Sequence, residues 1–83
     1  MDASAIEDRI RTLVVERLFL RIDPKSIGRD EPLIPRLGID SVQLFEILVA
    51  CEEAFGVSLQ EEEFRAERFA TIAAIASTVA GKM

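Results

Sequence analysis

The segment Leu37-Gly38-Ile39-Asp40-Ser41-Val42 places a hydroxyl one residue after a carboxylate, where an irregular stretch gives way to a helical pattern. Asp40 suits the cap of that helix and Ser41 its first turn. A helix N-terminus offers unpaired N–H groups and a partial positive charge, so a phosphodiester on Ser41 would sit in a favourable field. Gly38 permits a tight entry from the loop. Asp-Ser is also a common helix cap, and these two residues taken alone read as an ordinary cap.

Other routes to chemistry are closed. The chain has no His, so Ser41 and Cys51 have no imidazole base to activate them, and a hydrolase using Ser41 lacks its general base. Cys/His metal sites are excluded for the same reason, and no metal site is expected. Glu52-Glu53 and Glu61 to Glu63 are neighbours in sequence, so on a helix they point in different directions and do not converge as an acid/base pair. There is no Gly-rich phosphate loop. No catalytic residue is assigned.

The elements that hold Ser41 follow from the apolar periodicity. Ser4 and Glu7 have capping-box spacing, and Ile6, Ile10, Leu13, Val14 and Leu18 form one stripe, which predicts a helix from about Ser4 to Leu20. Glu7, Asp8, Arg9, Arg11 and Glu16 are expected mainly off that stripe. Asp23-Pro24, Pro32 and Pro35 keep the chain irregular as far as Leu37, with Ile27, Leu33, Ile34 and Leu37 as apolar pegs. A second helix runs from Asp40 or Ser41 to about Phe55, stopped by Gly56. Its core face is Leu44, Ile47, Leu48, Cys51 and Phe55, so Cys51 reads as a small buried hydrophobe. Val42, Phe45 and Val49 fall on the opposite side beside Glu46 and Glu53, where a solvated helix should be polar. Gln60 to Phe64 suggests a short third helix or turn, and Thr71 caps a last helix that carries Ile72, Ile75, Ala76 and Val79 inward. The expected fold is an all-α four-helix bundle, with three main helices, a short third one, and a long loop between the first two. Residues 1–83 read as one domain.

The net charge is −5, which argues against nucleic acid as a partner. The acidity is local: from Leu37 to Phe64 there are seven acids and no Lys or Arg. A run of this kind is either a solvated face or a docking surface for basic partners. The single cysteine suits a reducing compartment, and neither a signal peptide nor an apolar stretch near the ~20 residues of a membrane span is seen. A cytoplasmic monomer without membrane attachment is expected.

Gly38-Ile39-Asp40-Ser41-Val42, with Leu44, Glu46-Ile47 and Glu52-Glu53-Ala54-Phe55-Gly56-Val57, resembles the acyl carrier protein family. The resemblance covers nearly the whole chain. It implies that Ser41 receives 4′-phosphopantetheine from a phosphopantetheinyl transferase, and that Asp40 serves transferase recognition. The arm's thiol would then carry acyl or aminoacyl groups as thioesters. It also implies that the second helix is the recognition helix, which gives Val42, Phe45, Glu46, Val49, Glu52 and Glu53 a docking role. Partners would be an acyl or aminoacyl ligase or acyltransferase, a ketosynthase or other tailoring enzymes, and salt should weaken their association.

Several residues depart from the family pattern. Val42 stands for the usual Leu, Gln43 for a frequent acid and Phe45 for an aliphatic, while Ile39 differs from the Gly of peptidyl carriers. Glu63 to Thr71 is similar in flavour to D-alanyl and other aminoacyl carriers. These features favour a discrete carrier of a specialised bacterial pathway, polyketide-like or aminoacyl, over a fatty-acid-synthesis carrier. A cofactor-free helical adaptor using the Val42/Phe45/Val49 strip is the alternative from another class.

Overall fold

The computed structural model describes residues 2–59 and 66–83, and all regular structure in them is helical. Helix α1 spans Ala3–Arg17, and Asp2 caps it, its carboxylate accepting from the Ala5 N–H at 2.8 Å. The cap therefore lies two residues before the expected Ser4. A carboxylate caps as well as a hydroxyl and adds a charge–dipole attraction. Glu7 is not free to complete a box with Ser4, because its side chain is buried and bonded elsewhere.

α1 also stops three residues short of Leu20. The Leu20 N–H reaches back to the Val15 carbonyl at 3.0 Å and the Phe19 N–H to that of Glu16 at 3.4 Å, which is a Schellman stop. Phe19 takes the left-handed conformation that this stop requires, with φ 53°. Among the described residues the other two in that conformation are Gly38 and Gly56, which end α2 and α3.

The connection from α1 to α3 runs back along α1. Arg11 Nε donates to the Ile27 carbonyl at 2.7 Å, and Arg29 bonds Glu7. The same stretch is tied to the far end of the chain: the Leu33 N–H donates to Ala70 O at 2.8 Å and the Ala73 N–H to Arg29 O at 2.9 Å. Ile27 and Leu33 are buried pegs as expected, but Ile34 is exposed and Leu37 half-buried. The segment Leu33–Leu37 is itself a one-turn helix, α2, that the prolines had seemed to forbid. Pro35 is its third residue, where the missing N–H has no intrahelical acceptor to lose.

Helix α3 spans Ser41–Phe55, α4 spans Ala66–Phe69 and α5 spans Ile72–Ala80. The expected short third element at Gln60 to Phe64 falls outside the described residues, and the short helix seen is α4. Thr71 caps α5 as expected, its hydroxyl accepting from the Ala74 N–H at 3.0 Å. The core lies between α1, α3 and α5. Ile6, Ile10, Leu13 and Val14 meet Leu44, Ile47, Leu48 and Cys51, together with Ile72, Ile75, Ala76 and Val79, and Ile27, Leu33, Ile39, Leu59 and Phe69 close it. The expected all-α bundle with a long first connection is the observed fold. No helix of the described residues is long and apolar enough to cross a membrane.

Candidate functional site

Ser41 is the first residue of α3 and is exposed, and its hydroxyl meets no partner among the described residues. The turn beneath it is held from both sides. Asp40 Oδ1 accepts from the Gln43 N–H at 2.9 Å, and Gln43 Oε1 accepts from the Asp40 N–H at 3.1 Å, a complete capping box. Gln43, which sequence reasoning treated only as a missing acid, is thus half of the device that fixes the helix start. Its position at the third helical residue was the available signal. Leu44 N–H donates to Asp40 O at 3.1 Å. The N–H groups of Ser41 and Val42 are left with no acceptor among the described residues. They are the donors an anion ester-linked to Ser41 would use.

Gly38 enters this turn with φ 65° and its N–H bonded to Ile34 O, and Ile39, the next residue, is buried. An anchored residue on one side and a capping box on the other make the approach to Ser41 rigid while its side chain faces solvent. The site holds no base. Among the described residues no cluster of His, Cys, Asp and Glu could hold a metal ion. Burial pushes the Cys51 thiol up to about 12, so that sulfur is not a nucleophile at neutral pH.

The proposed docking residues divide into two groups. Val42 is 67% exposed and Phe45 52% exposed, Glu46 is exposed, and Val49 is half-buried. At spacings of three and four residues Val42, Phe45 and Val49 form one strip leading away from Ser41. Glu52 and Glu53, at the other end of α3, are engaged within the chain. Glu52 Oε2 accepts from the Leu59 N–H at 3.0 Å, and Glu53 pairs with Arg17 of α1 at 3.1 Å. Sequence reasoning missed both contacts because each partner is supplied by a different segment. Two clefts of about 240 Å³ and about 210 Å³ are formed by α1 with the loop and by α1 with α5, and no residue of α3 lines either.

The family model described as the phosphopantetheine attachment site matches residues 8–79. A curated acyl carrier protein of Wolinella succinogenes is 35% identical over 68 residues, covering 82% of this chain and 84% of the relative. The acyl carrier protein of Campylobacter curvus is 33% identical over 75 residues, covering 90% and 92%, and that of Bdellovibrio bacteriovorus is 32% identical with 88% of each chain covered.

Proposed function

The chain belongs to the acyl carrier protein family, whose members carry covalent 4′-phosphopantetheine, and from that premise we propose that Ser41 is the attachment residue of this chain. When bound, the group supplies a terminal thiol that holds acyl chains as thioesters. The observation that carries the assignment is an exposed hydroxyl beside the N–H groups of Ser41 and Val42, all without a partner among the described residues. Ser41 Oγ would attack the pantetheine-side phosphorus of coenzyme A's pyrophosphate, and as the phosphodiester forms the P–O bond to the other phosphate would break and adenosine 3′,5′-bisphosphate would leave. The hydroxyl proton would pass to a base of the transferase, since this chain has no His. Asp40 and Gln43 present the hydroxyl, and the outer strip of α3 meets the partner enzymes.

The protein is a carrier, not a catalyst. The finer reading is a cytoplasmic, monomeric carrier of a specialised pathway, polyketide-like or aminoacyl. Its partners would be a phosphopantetheinyl transferase, a loading ligase or acyltransferase, and a ketosynthase or other tailoring enzyme. Neutral Gln43 and bulky Phe45 support that reading over fatty-acid synthesis.

Incubation with a phosphopantetheinyl transferase and coenzyme A, read by intact mass, tests the assignment. One phosphopantetheine should be added to the wild type and none to Ser41→Ala. An unchanged wild-type mass, as a cofactor-free adaptor would give, or equal addition to the variant, overturns it.

A further inference from the structure

We propose that Phe19 and Arg21, at the end of α1, form a docking site for a protein partner that offers an apolar pocket to the ring and a carboxylate to the guanidinium. The partner holds the chain at the end of α3 away from Ser41. The site is separate from the one that receives the arm, and it does not depend on which residue is modified.

Phe19 bears two costs that nothing within the chain offsets. Gly38 and Gly56, which end α2 and α3, take the left-handed conformation freely. The stop of α1 uses a phenylalanine instead, whose Cβ is strained at φ 53°. Burial in the core would account for a large side chain there. The ring is instead 89% exposed, more than any other large hydrophobic side chain among the described residues. Strain of this kind, kept where packing does not require it, points to binding.

The surroundings of the ring define what fits it. Leu18, Leu20 and Ile22 are half-buried and packed against the core, while Phe19 and Arg21 between them are exposed. Arg17, at the last position of α1, is 3.1 Å from Glu53 and so is neutralised within the chain. Arg21 has no side-chain partner among the described residues, and neither has exposed Glu16 on the last turn of α1. An exposed aromatic ring beside a free cation is complementary to an apolar pocket with an acidic rim. A bilayer matches less well. One myristoyl chain, larger than this ring, holds a protein to lipid only marginally, and Glu16 is repelled by anionic headgroups.

The position leaves Ser41 open. The Arg17–Glu53 pair sets the end of α1 beside the last turn of α3. At about 1.5 Å per residue, Glu53 lies about 18 Å along the helix axis from Ser41. One protein can therefore hold the carrier at Phe19 while another acts at Ser41.

The test places photoreactive benzoylphenylalanine in the full chain instead of Phe19 and irradiates it in an extract of its source cells. The control carries the same group instead of Arg9, which is exposed on α1 with no side-chain partner among the described residues. One protein should crosslink in the first case and not in the control. Purified, it should bind the wild type and Ser41→Ala equally, and its Kd should rise about tenfold for Phe19→Ala and about fivefold for Arg21→Glu. Loading of Phe19→Ala by a phosphopantetheinyl transferase should match the wild type, and thermal melting checks that each variant is folded. The site is overturned by no adduct, an equal adduct in the control, a crosslinked dimer of the chain, or a lipid adduct. Wild-type affinity of the captured protein for Phe19→Ala or Arg21→Glu overturns it as well. Slow loading of Phe19→Ala would assign the ring to the transferase contact and also removes the proposal.

Discussion

The buried carboxylate of Glu7 on α1 is held at 2.9 Å by Nη2 of Arg29, a residue 22 positions away in the long connection. Arg29 Nε lies 3.1 Å from the other oxygen, so the pair is bidentate. The Arg29 carbonyl accepts the Ala73 N–H of α5, and this one residue therefore joins α1, the connection and α5. The hydrogen bond from Arg29 holds the Glu7 carboxyl below its usual range, against the opposing effect of burial. A carboxyl whose folded pKa is depressed contributes stability that is present above its unfolded pKa and lost as pH falls through the folded value. The urea midpoint should therefore not vary with pH through this pair near neutrality, where its contribution is fully present, and should drop as pH falls below about 4. Arg29→Ala should lower the midpoint at neutral pH and shrink the acid-induced loss. Equal acid limbs in wild type and variant would count against the linkage.

Phe19 occupies the left-handed stop of α1 with φ 53° and is 89% exposed. A side chain in that conformation costs about 1–2 kcal/mol, and this one recovers little through burial. Phe19→Gly should stabilise the fold by about 0.5–1 kcal/mol after the added freedom of the unfolded glycine is subtracted, raising Tm by a few degrees. Phe19→Ala keeps the backbone cost and should leave Tm nearly unchanged. Calorimetry decides, and a Phe19→Gly variant no more stable than Phe19→Ala would remove the claim of strain.

Sequence periodicity made the core legible because each stripe is local: Ile6, Ile10, Leu13 and Val14 on α1, and Leu44, Ile47, Leu48 and Cys51 on α3, are all buried. Thr71 and Gly56 were legible as stops and starts for the same reason. Misreadings arose where a distant segment decides the outcome. Glu7 is adjacent to Ile6 on the helix, and the bond from Arg29, helped by the charge of Arg11, makes its burial tolerable. Phe19 carries no helix-stop signal, and the stop is imposed by the chain turning back along α1. Ser41 was legible as a helix start, but its rigidity was not, since Gln43 closes the capping box. The strip Val42, Phe45, Val49 was legible as an anomaly, whereas the neutralisation of Glu53 depends on Arg17, 36 residues earlier.

The capping box makes separate demands on its two members. Asp40→Ala removes the acceptor for the Gln43 N–H and should cost about 1 kcal/mol, a Tm loss of roughly 4–8 °C. Gln43→Ala frees only the exposed Asp40 N–H, which water can satisfy, and should cost under about 0.5 kcal/mol. Urea unfolding of the two variants, monitored by circular dichroism, tests the order. A Gln43→Ala loss as large as that of Asp40→Ala would mean that the two bonds stand or fall together.

Cys51 gives a direct readout of the arm because its own sulfur is silent. It is fully buried in the face of α3 that meets α1 and α5, and burial pushes its thiol up to about 12. Between neutral pH and about pH 9 the thiolate fraction is therefore negligible, and a reagent must wait for unfolding to reach the sulfur. The chain has no other cysteine. Titration of native unmodified protein with a thiol reagent should give close to zero reactive groups, rising to one in denaturant. After loading by a phosphopantetheinyl transferase, native protein should give one, and denatured protein two. Ser41→Ala should stay at zero and one throughout. A native unmodified protein that reacts promptly would show that Cys51 is accessible, and would contradict the packing of α3 against the core.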